Sequence, residues 1–494
     1  MKKLILLVVD SLHPAVLDRL LAEGNVPALR FLAEHGQVRN DVVSSFPTMT
    51  PVALSSIATG CWPDRHAVPG FIWYDAVRRR IIDYGGTWQS VVTLGPEQVV
   101  SNLLHRLNYE HLSPDVATVY ERLEQGKYSA GNINFFMHRG LHPYIAKVPL
   151  SVVLATGFRL YREQMFGPQF LALGDFVHPQ FRWQDFLFGF PRGILHRYGF
   201  NDAFSAQMAI KLIHEQRQPD FLLVYFPDND KYSHTYGPLR TGSSLERIDG
   251  LLQRLLSAWG SWERALEDNV FVVTGDHSQT TIGLGSEYQI DLERALRYFK
   301  RLRPTEAADG SHEIAICPNE RSAFVYILKD EAVLLPEIVE ILARDGRNTH
   351  IAWKDGENRY AVVQGGTEKR LTFACGGECR DVYGQSWDFE GALAVVDAAA
   401  DETGVIRYGR YPDALERLRS ALEARPGVRV VLSATPGCEY FAENAPIHPG
   451  GGSHGSLEWE DSVVPMIIAG TAKPFTQGRI TGIYDFVLEH FSAG

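Results

Sequence analysis

The chain opens with an unbroken apolar run, Leu4–Val9, that stops at a carboxylate, Asp10. The run is too short for a membrane helix and has no polar alternation, which predicts the first buried strand of a parallel sheet. Leu17, Leu20 and Leu21 then recur at helical spacing after Ser11, a residue suited to capping the helix, and Gly24-Asn25 ends it. Leu29, Leu32 and Ala33 continue a helical face from Pro27 to Gly36. Phe204, Met208 and Leu212 mark a later helix, followed by a second apolar run, Phe221–Phe226, and a long helix with Leu245, Ile248, Leu252 and Leu255 on one stripe. A third run, Val270–Thr274, ends in Gly275-Asp276-His277. Strands alternating with helices predict an α/β fold built on a doubly wound, mostly parallel sheet, whose ligands gather at the carboxyl ends of the strands.

Two stretches break this texture. Residues 86–200 are irregular and rich in aromatic residues, among them Trp88, Phe135, Phe136, Phe158, Phe166, Phe170, Phe176, Phe181, Trp183, Phe186, Phe188 and Phe190. Rings packing an insertion onto the core is the favoured reading; an apolar wall for a leaving group is the alternative. From about 300 to 425, short apolar segments (Ser322–Leu328, Tyr360–Val363, Leu371–Ala374) are separated by Asp355-Gly356, Gly365-Gly366 and Gly376-Gly377. They predict an inserted, antiparallel or mixed cap subdomain. A Pro412–Ala424 helix, a Val428–Leu432 strand and a Val463–Ala469 strand return to core texture. The resulting division is core 1–140, aromatic insertion 141–199, core 200–300, cap 301–424 and core 425–494.

Composition narrows the picture without deciding it. At 494 residues and 45% hydrophobic content the chain can bury a large core. A net charge of −11, spread along the chain with no basic block, argues against a nucleic-acid groove. No stretch is long enough to span a membrane. The five cysteines, Cys61, Cys317, Cys375, Cys379 and Cys438, form no repeating framework, so free thiols and a cytoplasmic location are expected. Cys375 and Cys379 have no second pair to complete a structural zinc site.

Candidate chemistry lies at the strand ends. Pro47 and Pro51 bracket a stiff, hydroxyl-rich turn that presents Thr50 at a helix start. Such a hydroxyl is a nucleophile only when its proton is removed. Asp10, Asp230, His234, Asp276, His277 and His454 each follow an apolar run or sit in the glycine loop 450–455. Singly, each has a plain structural reading, as a helix cap or a turn residue. Together, three carboxylates and three imidazoles on one sheet edge suit two divalent ions.

These residues resemble the alkaline phosphatase superfamily, and within it the type I phosphodiesterase/nucleotide pyrophosphatase family. The matching pattern is Asp10, Pro-Thr-x-Thr at 47–50, Thr-Gly-x-x-Pro-x-x-His at 59–66, Pro227-Asp228 with His234 and Gly237-Pro238, Asp276-His277, and Gly-x-His-Gly at 452–455. The resemblance implies Thr50 as nucleophile and two ions, zinc or alternatively manganese. Asp10, Asp276, His277 and Thr50 match the ligands of one ion; Asp230, His234 and His454 match those of the other. It further implies hydrolysis of a small phosphate diester or pyrophosphate through a phospho-threonine. The chain departs from the pattern at Val52-Ala53-Leu54, where the family's diesterases have an asparagine that donates to phosphate, and at Ser233 and Ser278, where glycine is usual. Arg139, or His138 beside it, is the candidate substitute donor. A phosphomonoesterase or phosphonate hydrolase on the same site, and a metal-binding homologue without catalysis, are the alternatives. Cys61-Trp62-Pro63-Asp64-Arg65 matches a sulfatase outline, but Thr50 already fills the nucleophile position.

Overall fold

The computed structural model describes residues 1–85, 93–147, 149, 162–177, 190–442 and 445–492. Seven strands form the main sheet, in the spatial order Gly36–Val43, Val463–Ala469, Asn269–Gly275, Lys3–Val9, Phe221–Phe226, Ala130–Ile133, Phe170–Ala172. Lys3–Val9 lies at its centre, parallel to Asn269–Gly275 on one side and to Phe221–Phe226 on the other. Val463–Ala469 is antiparallel to both its neighbours, so the sheet is mostly parallel and carries one reversed strand.

Why these runs are apolar throughout is visible in their packing. Leu4, Leu6 and Val8 face one layer with Ala53, Leu54 and Ile57, whereas Ile5, Leu7 and Val9 face the opposite layer with Leu17, Leu245 and Ile248. Phe221–Phe226 and Val270–Val273 divide their side chains between the same two layers. A strand covered on both faces has no polar side, and alternation disappears. Ser11 does not cap the first helix: Pro14–Glu23 is capped by His13, whose ring accepts from Ala15 N.

A second sheet runs Ile314–Asn319, Ser322–Ile327, Arg429–Ala434, Asn348–Gly356, Arg359–Val363, Arg370–Asp381, Val405–Tyr408, Ala398–Ala400, with Ser386–Gly391 also on Arg370–Asp381. The apolar run at 428–432, expected in the main sheet, pairs instead with Ser322–Ile327 and Asn348–Gly356. A fully buried run looks the same in either sheet, so its sequence does not say which one it joins. The second sheet is packed into the main core, since Phe324, Tyr326, Phe373 and Val431 share a cluster with Leu4 and Ala53. A buried ion pair, Arg321 to Asp461 at 2.5 Å, joins the Asn319–Ser322 turn to the short helix Trp459–Ser462 that precedes Val463–Ala469.

Of the aromatic stretch, Phe136 packs on Phe200 (5.3 Å between centroids) and Phe176 on Phe200 (5.8 Å), as core rings do. Trp88, Phe158, Phe181, Trp183, Phe186 and Phe188 lie outside the described residues. No helix among the described residues is long and apolar enough to cross a membrane. The five cysteines are free.

Candidate active site

Asp10 and Asp276 lie immediately after neighbouring parallel strands, and Asp230 and His234 lie on the helix Asp228–Tyr236 that follows the third. Spacing of four on a helix puts Asp230 and His234 on one face, with His234 Nε2 at 3.3 Å from Asp230 Oδ1. His454 enters from the loop after the short Gly452–Ser453 strand. Thr50 is the first residue of the helix Thr50–Thr59, with Pro51 behind it.

Each imidazole is locked in the same tautomer. A carbonyl oxygen only accepts, so the ring nitrogen facing it carries the proton. His234 Nδ1 donates to Gly452 O at 2.8 Å, His454 Nδ1 to Thr48 O at 2.6 Å and His277 Nδ1 to Ser278 O at 3.2 Å. Every Nε2 lone pair is thereby turned inward, the arrangement of metal-ligating histidines.

One group of donors surrounds His277. Its Nε2 lies 3.2 Å from Thr50 Oγ1 and 3.6 Å from both Asp10 Oδ1 and Asp276 Oδ2. Asp10 Oδ1 and Asp276 Oδ2 are buried and have no hydrogen-bond partner, although their sister oxygens do: Tyr225 donates to Asp10 Oδ2, and Ser11 N and His277 N donate to Asp276 Oδ1. Two orphaned carboxylate oxygens beside an inward lone pair fit a divalent cation. The second group is Asp230 with His234 and His454, the latter's Nε2 at 3.8 Å from Asp230 Oδ1. The residues present therefore fit two ions.

Without the ions, protons take their place on several of these groups. Burial, with the Asp276 and Asp230 charges nearby, holds the Asp10 carboxyl well above its usual range, and burial raises Asp276 to about 7. Burial acts the same way on Asp230, but His234, which both attracts and hydrogen-bonds it, outweighs burial and holds that carboxyl well below its usual range. His234 is desolvated too, yet Asp230 and Glu320 lift it to about 10. Burial and the neighbouring His454 push His277 well down, so it is neutral and able to ligate.

A cavity of about 410 Å³ opens over these groups, lined by Thr50, Phe71, Arg197, Lys231, Glu320 and His448 among others. Arg139 is not among them. It is held by Glu121 (3.0 Å) and by the carbonyls of Ser113 and Val116. His138 is buried, with Nε2 on Leu104 O at 2.9 Å. A loop arginine beside a buried histidine looks the same in sequence whether it meets a substrate or a neighbouring acid. Ala53 is buried in the helix core, and among the described residues the asparagine at the cavity wall does not take over its place: Asn319 has its amide committed to Phe71, Ile72 and Cys317.

Several site residues carry no strand-end or motif signal. Gln279 Nε2 and Ser11 Oγ both donate to Asp230 Oδ1, each at 2.7 Å. Glu320 sits at the tip of the first hairpin of the second sheet, with a positive φ of 56°. His448 stacks on His234 at 4.2 Å and is anchored through Nδ1 to Glu439 at 3.0 Å.

The family profile described as Type I phosphodiesterase / nucleotide pyrophosphatase matches residues 4–383. No curated protein sequence matches the chain. Among solved structures, murine ectonucleotide pyrophosphatase / phosphodiesterase 5 superposes with a TM-score of 0.57 at 13% identity, over 99% of this chain and 95% of that one. Its inactive variant in complex with AMP gives 0.58 at 13%, over 100% and 95%. Phosphonoacetate hydrolase from Sinorhizobium meliloti 1021, in complex with phosphonoformate, gives 0.57 at 17%, over 99% and 95%. The chain belongs to the type I phosphodiesterase / nucleotide pyrophosphatase family of phosphoric ester hydrolases.

Proposed function

We propose that the chain hydrolyses small phosphate diesters or pyrophosphates, of the nucleotide type, with Thr50 as nucleophile and two divalent ions, zinc or manganese, as cofactors. The observation that carries this reading is the cluster of Thr50 Oγ1 and the two orphaned oxygens of Asp10 and Asp276 around His277 Nε2. Asp10, Asp276, His277 and Thr50 would hold one ion and Asp230, His234 and His454 the other. Bound there, the ions supply charge that lowers the pKa of a coordinated hydroxyl and offsets the charge on phosphoryl oxygens.

The chain's own residues do the rest. Pro51 and the Thr50–Thr59 helix fix the direction of the Thr50 hydroxyl. Its place at the helix start puts it where the backbone dipole favours an anion. Thr50 attacks phosphorus, the leaving group departs into the cavity, and water then cleaves the phospho-threonine ester. Lys231 is exposed at the cavity and makes no ion pair among the described residues, which leaves its ammonium free to meet a phosphoryl oxygen. It takes the part first assigned to Arg139.

A second reading, a phosphomonoesterase or phosphonate hydrolase, is favoured by one observation: Ala53 supplies no phosphate donor beside Thr50. A panel of bis-p-nitrophenyl phosphate, p-nitrophenyl phosphate and phosphonoacetate, assayed with zinc or manganese, separates the two. Diester turnover well above the others supports the diesterase reading. A monoester or phosphonate preference replaces it with the second.

A further inference from the structure

We infer that Glu320 is a fourth protein ligand of the ion held by Asp230, His234 and His454. The inference rests on the two-ion reading above and extends it to the second sheet. Glu320 Oε1 lies 3.8 Å from His234 Nε2, and Oε2 lies 3.5 Å from His454 Nε2. Asp230 Oδ1 lies 3.3 and 3.8 Å from the same two nitrogens. The Glu320 carboxylate thus reaches both nitrogens that Asp230 Oδ1 reaches, one through each of its oxygens. Donors on one tetrahedral zinc ion with bonds of about 2.1 Å stand about 3.4 Å apart, close to these separations.

The placement of Glu320 is built rather than incidental. Its backbone is in the left-handed region at 56°, which a non-glycine residue adopts only when its surroundings hold it there. Tyr440 N donates to its carbonyl at 2.7 Å, and the next residue, Arg321, is fixed by Asp461 and by His454 O. Ser453 Oγ at 2.9 Å and the His454 backbone N at 3.2 Å both donate to Oε2 and orient the carboxylate. Oε1 faces His234.

His234, Glu320 and His448 also approach one another closely enough to suggest a separate, third cation seat. The tautomer of His234 argues against that. Its Nδ1 proton is spent on Gly452 O, and the single remaining lone pair on Nε2 binds one ion only. His234 and Glu320 thus belong to the ion that Asp230 and His454 share. This makes the Asn319–Ser322 turn a part of the metal site, so that the second sheet helps to bind the ion.

The test is a zinc titration of metal-stripped protein against a competing chromophoric chelator, for wild type, Glu320→Gln and Glu320→Asp. Wild type is expected to take two ions. Each variant is expected to bind one of the two at least about tenfold more weakly, with the other unchanged. Melting curves of the metal-free proteins show whether a variant folds, and Glu320→Asp, which keeps the charge but falls short, carries the test if Glu320→Gln does not. Two ions at wild-type affinity in a folded variant overturn the inference. A wild-type chain that takes fewer than two ions overturns the two-ion reading itself.

Discussion

The hydroxyl of Thr50 stands 3.2 Å from Nε2 of His277, a nitrogen turned inward because its ring partner faces the Ser278 carbonyl. A hydroxyl so placed among Asp10, Asp276 and His277 is aimed by the fold before any substrate arrives. Thr50→Ala is expected to lower kcat by at least roughly a thousandfold with the zinc content unchanged at two. Steady-state rates and metal analysis of the same preparation check it. Thr50→Ser, which keeps the hydroxyl, is expected to retain part of the activity.

Removing metal should make stability depend on pH in a specific direction. In the metal-free chain, burial raises the Asp276 carboxyl from 3.8 to about 7, and Asp10 is raised as well. Between those values the folded state binds more protons than the unfolded one, so stability falls as pH rises. His234 adds to the slope: raised to about 10, it contributes stability below its unfolded value of 6.5 and loses it as pH climbs through 10. Asp230 and Glu320 are depressed, and their contributions are lost only at acid pH, below this window. His277, pushed well down, has the opposite slope below 6.5, as do the buried His13, His66, His111, His138 and His350 elsewhere in the core. The rise in Tm on adding zinc isolates the site, and it is expected to grow from pH 5 to 8 as the protons on Asp10, Asp276 and His234 give way to the ion. A zinc-induced rise that stays flat or shrinks from pH 5 to 8 would contradict the stated charges.

Two exposed cations line the cavity; Arg197 is paired with Asp228 at 2.7 Å, whereas Lys231, next to Asp230, makes no ion pair among the described residues. Lys231→Ala is expected to lower kcat/KM about tenfold, mostly through KM, and to leave the zinc content at two. Glu and Gln substitutions there should order the loss by charge. Equal kinetics for all three would remove Lys231 from the site.

Arg139 serves stability. Its guanidinium bridges Glu121 and two carbonyls in a largely buried setting, with the side chain 13% exposed. Arg139→Ala is expected to cost about 2–3 kcal/mol in urea unfolding while KM stays at its wild-type value. A change in KM without loss of stability would return Arg139 to the substrate.

Much of the site was legible because it follows from strand ends. Asp10 and Asp276 each close an unbroken apolar run, and parallel register carries both to the same edge. Asp230 and His234 follow a third such run at helical spacing. Glu320 and His448 gave no such signal. Glu320 belongs to a hairpin turn of the second sheet, and only tertiary packing brings that turn to His454. The 428–432 run was assigned to the wrong sheet for a related reason: full burial erases the alternation that would tell the sheets apart. Ser11, read as a helix cap, has a positive φ of 58° and turns its hydroxyl to Asp230, a conformation that no local pattern announces.

The most direct test of the account is the chemical state of Thr50 during turnover. The zinc-loaded protein is mixed with bis-p-nitrophenyl phosphate, quenched in acid within the first turnovers, digested and analysed by mass spectrometry. The account predicts a Thr50 peptide carrying the nitrophenyl phosphoryl group, absent when substrate is omitted and absent in Thr50→Ala. Full diester turnover by Thr50→Ala, with no phosphorylated Thr50 in the wild type, would contradict it.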